Sequence, residues 1–300
     1  MQVVDRTGHG SGWHRHCAQV LTWFLQRWNV PAEVAEALVD EAIGGRFHSW
    51  TSPETVLVDD VAERLALSLS LRQDATTRPF EPGRGEPTPD HLERWLAIRD
   101  CVPWQDVSDA GGGDGPMAPS RDGAVEDIRA FDGAIESARA EGLLAALQLA
   151  RIDAARGASL TFELLQGWQQ HVLCTPQPPP FRSSPAFAKG GRERYGIGPD
   201  TRARLNACLA ESTYDSARPL SLSARAARAY LDVCFFHPFG DGNARAAFLT
   251  LIFVLAREGI ALDNVSLLRR VRFQADDPQD PLILTRYINI HLSETRCASS

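Results

Sequence analysis

The segment that most constrains this chain is the run Ala246 to Ala256, eleven residues of which only Thr250 is polar. A helix that is apolar on nearly every face has to be surrounded, so this segment is expected to be the central buried element of its domain. It is about half of the ~20 residues needed to span a bilayer, which makes it a core helix and not a membrane span. Asn243 stands where the helix opens, and Gly259 is a suitable C-terminal cap.

The residues just before it matter as much. Ser221 or Ser223 caps an Ala-rich helix that runs to Phe236, and Pro238 stops that helix just after His237. The stretch "FFHPFGDGNARAAFLTLIF" therefore joins two helices through a short turn at the end of the buried one. The first turn of a helix offers unpaired backbone N–H groups and a partial positive charge, a ready site for an anion. Gly242 lets the backbone approach a phosphate, Asn243 can add an amide, and Arg245 can fork onto phosphate oxygens. Asp241 is a hard oxygen ligand of the kind that holds Mg²⁺ together with substrate phosphates. His237, neutral near physiological pH, can accept a proton from an attacking hydroxyl. Taken singly, each residue has an ordinary structural use: a cap, a turn, a surface ion pair. Their conjunction within nine residues points to phosphate chemistry.

Three hundred residues allow one or two domains. Helical spacing of apolar residues from Trp13 to about Ile43, with Pro31 opening a second segment, predicts a helical hairpin. The pattern repeats over Glu54–Leu71, and another helix starts after Thr88 or Asp90. Residues 1–105 are read as an N-terminal helical region. The segment 106–124, rich in Gly, Pro, Ser and Asp, is read as a linker or loop. No apolar strand precedes its glycines and no Gly-Lys-Ser/Thr follows, so it does not form a phosphate loop.

Residues 125–295 form the second domain. A helix is expected through "AVEDIRAFDGAIESARAEGLLAALQLARIDAA", and another through "SLTFELLQGWQQHVL", capped by Ser159 or Thr161. The following "FRSSPAFAKGGRERYGIGPD" reads as a hairpin turning at Gly190-Gly191, with Pro185 tolerated only on an edge strand. The fold class is all-α, with this hairpin as a small exception.

A formal net charge of −7 argues against general affinity for nucleic acid or anionic membrane. Six cysteines without a C-x-x-C pair suggest neither a disulfide framework nor a zinc site, and the N-terminus lacks a basic start with an apolar block. A cytoplasmic location is the expectation.

The turn resembles the signature of the Fic family, His-Pro-Phe-x-Asp/Glu-Gly-Asn-Gly/Lys-Arg-x-x-Arg. The chain reads His237-Pro238-Phe239-Gly240-Asp241-Gly242-Asn243-Ala244-Arg245-Ala246-Ala247-Phe248, so seven of the eight constrained positions up to the first arginine match. The resemblance extends over about Val125 to Leu292 and leaves the N-terminal region unexplained. It implies a Fic-type helical bundle around a buried central helix, with the hairpin as a flap. It also implies transfer of AMP from ATP onto a Tyr, Thr or Ser hydroxyl of a target protein. His237 would be the base and Asp241 the Mg²⁺ ligand. Phe239, Gly240, Gly242, Asn243, Ala244 and Arg245 would surround the nucleotide phosphates. Arg182, Phe187, Lys189, Gly190, Gly191 and Arg192 would serve the flap and its target, which the flap would clamp by strand addition.

Two positions depart from the pattern. Ala244 replaces Gly or Lys, and Phe248 replaces the second arginine, which in the family binds the γ-phosphate and pairs with an inhibitory glutamate. Members without it include Doc toxins, which transfer the γ-phosphate, and other branches use CDP-choline or nucleotide-sugars. A Doc-like phosphotransferase and a catalytically lapsed nucleotide-binding module are therefore the alternative readings. Ser137-Ala138-Arg139-Ala140-Glu141-Gly142 matches the family's inhibitory helix, which makes Glu141 a candidate regulatory residue.

Overall fold

The structure is a computed structural model and describes residues 89–107, 115–188, 193–212, 220–265, 268–269 and 273–299. All of these belong to one compact unit covering 79–269 and 273–300. The helices expected over Trp13–Ile43 and Glu54–Leu71 lie outside the described residues.

The unit is helical apart from one hairpin. In chain order it comprises α1 (His91–Ile98), α2 (Gly123–Asp127), α3 (Ser137–Ala155), α4 (Phe162–Val172), β1 (Ala186–Ala188), β2 (Glu193–Tyr195), α5 (Thr201–Glu211), α6 (Leu222–Phe236), α7 (Asn243–Arg257) and α8 (Gln279–Ser299). Local chemistry sets many of the boundaries. Asp90 accepts from the Leu92 and Glu93 amides, Thr161 from the Leu164 amide and Ser221 from the Ala224 amide, each offsetting orphan donors of a first turn. Gly259, at φ 70°, follows the end of α7.

The apolar run is the central element. Asn243 and every residue from Ala246 to Leu255 on α7 are buried, and α7 packs against α6, α3 and α4. Its one polar residue within the run, Thr250, donates its hydroxyl to the Ala246 carbonyl one turn back, so no polar group is stranded. Helix α6 forms the second layer, against α8, α5 and α1.

Three features differ from the sequence expectation. Helix α1, grouped by sequence with the N-terminal region, packs on α6 and β2. Trp95 is fully buried, and its indole N–H donates to Asp232 at 2.9 Å. The later part of the 106–124 segment is built into the fold: Met117 is buried and exchanges backbone bonds with Gly259 and Ala261, and the Gly123 amide donates to the Leu262 carbonyl. The helix expected from Val125 onward is interrupted. A wider π turn spans Ile128–Asp132, and the chain breaks at Glu136, which is extended at φ −162°, ψ 130°.

The hairpin is as expected. β1 and β2 pair antiparallel with Ala186 opposite Tyr195, Phe187 opposite Arg194 and Ala188 opposite Glu193. A parallel bridge from Asp90 to Arg194 occupies the outer side of β2. Among the described residues the outer edge of β1 pairs with nothing.

Candidate active site

Helix α6 ends at His237, which takes left-handed dihedrals, φ 49° and ψ 55°. Such a backbone is uncommon outside glycine and is held by its surroundings. The His237 amide still donates to the Val233 carbonyl, and its own carbonyl accepts from Arg182 Nε at 2.8 Å. Pro238 then forces the chain out of the helix.

The imidazole is held from two sides. Nδ1 lies 3.3 Å from the Cys234 carbonyl, which can only accept, so Nδ1 carries the proton and Nε2 the lone pair. The Tyr195 ring stacks on the imidazole with centroids 4.2 Å apart and planes 11° from parallel. Burial pushes the His237 pKa down to about 4, with the Arg182 charge adding to it, while the Cys234 carbonyl, Glu193 and Asp241 pull the other way. The side chain is therefore a neutral base at physiological pH.

The loop beyond is pinned by its own residues. Phe239 is fully buried and stacks on Phe162 at 5.4 Å. Asn243 is buried, accepts from the Phe239 amide and donates to the Phe239 carbonyl, both at 2.9 Å. The Asn243 side chain, expected to contact phosphate, thus braces the loop, and Phe239 anchors it in the core. From this loop into the first turn of α7 the backbone is open: the N–H groups from Gly240 to Arg245 find no acceptor among the described residues. Gly242, at φ 74°, carries no capping side chain. A Cβ there would stand 2.5 Å from Gln169 Nε2, so only glycine fits.

Gln169 was not singled out from the sequence. It is fully buried on α4, donates Nε2 to the Asp241 carbonyl at 2.7 Å and leaves Oε1 without a partner among the described residues. A signal was present, because Gln169 falls on the same stripe as Phe162, Leu165, Trp168 and Val172, where a polar residue requires a reason.

The charged residues divide by task. The Asp241 carboxylate is 80% exposed and lies 3.5 Å from Arg245 Nη2. Arg245 gives Nη1 to the Val172 carbonyl at 2.9 Å. Burial, then the nearby Arg139 charge, pulls its pKa below the usual arginine value. Arg182 is a structural clamp: buried, it donates to the carbonyls of His237, Phe236, Ser184 and Gly196. The sequence reading has it serve the flap, nucleotide or target; in the structure its guanidinium is engaged by these backbone carbonyls. Phe187 is 60% exposed on β1. Lys189, Gly190, Gly191 and Arg192 lie outside the described residues.

Phe248 is buried, and the Arg269 guanidinium lies over its ring at 4.8 Å from the centroid. Arg269 is paired with Asp127 at 2.5 Å and Asp132 at 2.6 Å, and Asp132 also accepts from Arg139 at 2.9 Å. Glu141 is exposed on α3 and accepts from the Ser137 hydroxyl of its own helix at 3.2 Å.

No family model and no curated protein matches the chain. Among solved structures it is similar to the crystal structure of a Fic domain-containing signaling protein from Bacteroides thetaiotaomicron. The identity is 15%, the match covers 77% of this chain and 93% of that one, and the TM-score is 0.44. The all-helical fold with its single hairpin is seen directly in the described unit. None of the described helices is long and apolar enough to cross a membrane.

Proposed function

We propose that this chain is a Fic-type transferase that moves AMP from ATP onto a Tyr, Thr or Ser hydroxyl of a target protein. One observation carries the reading: a neutral imidazole, fixed at the end of α6, opens a loop whose remaining N–H groups run unpaired into the first turn of the buried helix α7. A base thus stands beside an anion cradle on a rigid support, the pairing that phosphoryl or nucleotidyl transfer needs.

In this reading the target hydroxyl approaches Nε2 of His237, which takes its proton as the oxygen bonds to the α-phosphorus. The bond from that phosphorus to the bridging oxygen breaks, and pyrophosphate leaves. Backbone N–H groups from Gly240 to Arg245 hold the phosphoryl oxygens, and the Arg245 guanidinium faces the departing phosphates. Among the described residues no three metal-binding side chains cluster. The single exposed carboxylate of Asp241 still fits Mg²⁺, which is commonly bound through one carboxylate plus substrate phosphates. There it would neutralise phosphate charge. The edge of β1 that is unpaired among the described residues, next to exposed Phe187, supports an extended target segment docking by strand addition.

A specific observation favours a second reading. With Phe248 buried under Arg269, α7 offers no second arginine to the outer phosphates, which suits a Doc-like phosphotransferase or another nucleotide-donor transferase. Incubating the protein and its His237→Ala variant with cell lysate and ATP labelled at the α- or the γ-phosphate separates these. Label from α alone supports AMP transfer, and label from γ alone supports phosphorylation. Absence of His237-dependent label from either would sink both ATP-based readings and leave a nucleotide-binding module or another donor. Because a general base contributes about 10²–10⁴-fold in rate, His237→Ala is expected to lower transfer by at least the smaller factor.

A further inference from the structure

Tyr195 has no role in any reading above, yet its ring stacks face to face on the imidazole. It is buried, and the strand that carries it is secured rather than loose. The Gly196 amide donates to Asp90 Oδ1 and Arg194 Nη1 to Asp90 Oδ2, both at 2.9 Å, so the N-cap of α1 holds the end of β2. Arg182 then ties that strand end to the base itself, since one guanidinium donates both to the Gly196 carbonyl and to the His237 carbonyl. The Tyr195 hydroxyl donates to Glu193 Oε2 at 2.8 Å, and the His91 ring lies 5.6 Å from the tyrosine ring. The phenol ring is thereby fixed in place by two elements as well as by its own strand.

We infer that Tyr195 is a positioning residue for the base: a fixed aromatic wall that keeps the His237 imidazole in one plane, with Nδ1 on the Cys234 carbonyl and Nε2 presented to the substrate hydroxyl. Two physical consequences follow from the stack. The wall excludes water from one face of the imidazole, which helps keep it neutral and able to accept a proton. Once Nε2 is protonated, the electron-rich face of the phenol attracts the imidazolium, an interaction absent from the neutral ground state and so available only as the reaction proceeds. The charged and titratable groups around the imidazole are Arg182 before β1, Glu193 on β2, Cys234 on α6 and Asp241 in the loop, with His91 of α1 behind the tyrosine ring. A substitution confined to Tyr195 keeps all of these groups but takes from Glu193 the hydroxyl it accepts from, an effect that Tyr195→Phe shares and so controls for.

The inference rests on the proposed role of His237, and its test has a readout that does not need activity. The imidazole of His237, assigned by comparison with His237→Ala, is titrated by NMR in the parent and in Tyr195→Ala, Tyr195→Leu and Tyr195→Phe. In Tyr195→Ala the midpoint is expected to rise by about one unit as water reaches the ring, because burial is the largest cause of the low value and outweighs the lost attraction of the phenol for the imidazolium, and kcat to fall about tenfold to a hundredfold, with the donor KM within about twofold. In Tyr195→Leu, which fills the space should the alanine variant fail to fold, the midpoint stays low but kcat still falls, because an aliphatic side chain gives no flat face. Tyr195→Phe keeps the ring and is expected to restore most of the loss. A parental midpoint and kcat in the alanine variant would overturn the inference, as would a leucine variant as active as the phenylalanine one. So would a phenylalanine variant as impaired as alanine, which would make the bond to Glu193 the important feature. Should His237→Ala prove fully active, the proposed function fails, while the midpoints still report whether Tyr195 walls the imidazole.

Discussion

At the scale of single residues, the site depends on two backbone conformations that ordinary side chains resist. At Gly242, φ 74° combines with a Cβ position 2.5 Å from Gln169 Nε2, so Gly242→Ala strains the turn and displaces the amide that holds the Asp241 carbonyl. The expected loss is on the order of 1–3 kcal/mol in denaturant unfolding, with weaker ATP binding measured by calorimetry. At His237, burial of the imidazole adds a pH dependence. Its pKa falls from about 6.5 in the unfolded chain to about 4 in the folded protein, so between those values the unfolded state binds the extra proton. The stability associated with His237 is complete above about pH 6.5 and is lost as pH falls toward 4, by about 3 kcal/mol in all. His237→Gln should flatten that part of the curve, as measured by urea midpoints taken from pH 7 to pH 4. A matching flattening with Glu193→Gln in place of His237→Gln would assign the slope to the wrong group.

At the scale of elements, the site is held in place by contacts that cross the sequence. Asp232, fully buried in α6, accepts from Arg99 Nε at 2.7 Å, from Arg99 Nη2 at 2.8 Å and from the Trp95 indole. Burial alone would lower the Arg99 pKa, but the adjacent Asp232 carboxylate raises it overall, so the guanidinium stays charged. Asp232→Ala leaves the buried guanidinium with only its Nη1 pairs to the more exposed Asp100 and Glu211, and is expected to cost about 3 kcal/mol in an unfolding titration. Because the same α1 caps the strand end that carries Tyr195, hydrogen exchange in β2 should also quicken. These ties explain what the sequence could and could not convey. The caps at Asp90, Thr161 and Ser221 were legible because an oxygen and the amides it serves lie within a few residues. The membership of α1 was not, because Arg99 and Asp232 are 133 residues apart and neither stands out in its own segment. The π turn was hidden for a related reason. In a regular helix residues five apart diverge by about 140°, and widening the turn over Ile128–Asp132 lets Asp127 and Asp132 both meet Arg269.

At the scale of the whole described unit, the surroundings of Phe248 are set by residues distant in sequence. The loop, the buried helix and the place of His237 between them were readable in "FFHPFGDGNARAAF", and Phe248 was readable only as a departure from the signature the turn resembles. What fills its surroundings comes from three other segments: Arg269, lying on the ring, Asp127 and Asp132, which neutralise that guanidinium, and Arg139, which shares Asp132. Placing an arginine at position 248 is therefore not expected to create a phosphate contact. In Phe248→Arg a second guanidinium would enter a buried space already holding Arg269, with two carboxylates committed to the cations present, and the aromatic face would be gone. The uncompensated charge should destabilise the protein by about 3 kcal/mol or more, read as a lower denaturant midpoint, with no gain in affinity for ATP over AMP. Combining Phe248→Arg with Arg269→Phe returns the cation count to its original value and leaves one guanidinium for Asp127 and Asp132, so the double variant should recover part of the loss. That non-additivity, a double variant more stable than the sum of its singles predicts, is the signature of residues sharing one network. If Phe248→Arg alone is as stable as the parent and binds ATP more tightly, the guanidinium of Arg269 does not own that space, and α7 retains room for a second phosphate-binding arginine.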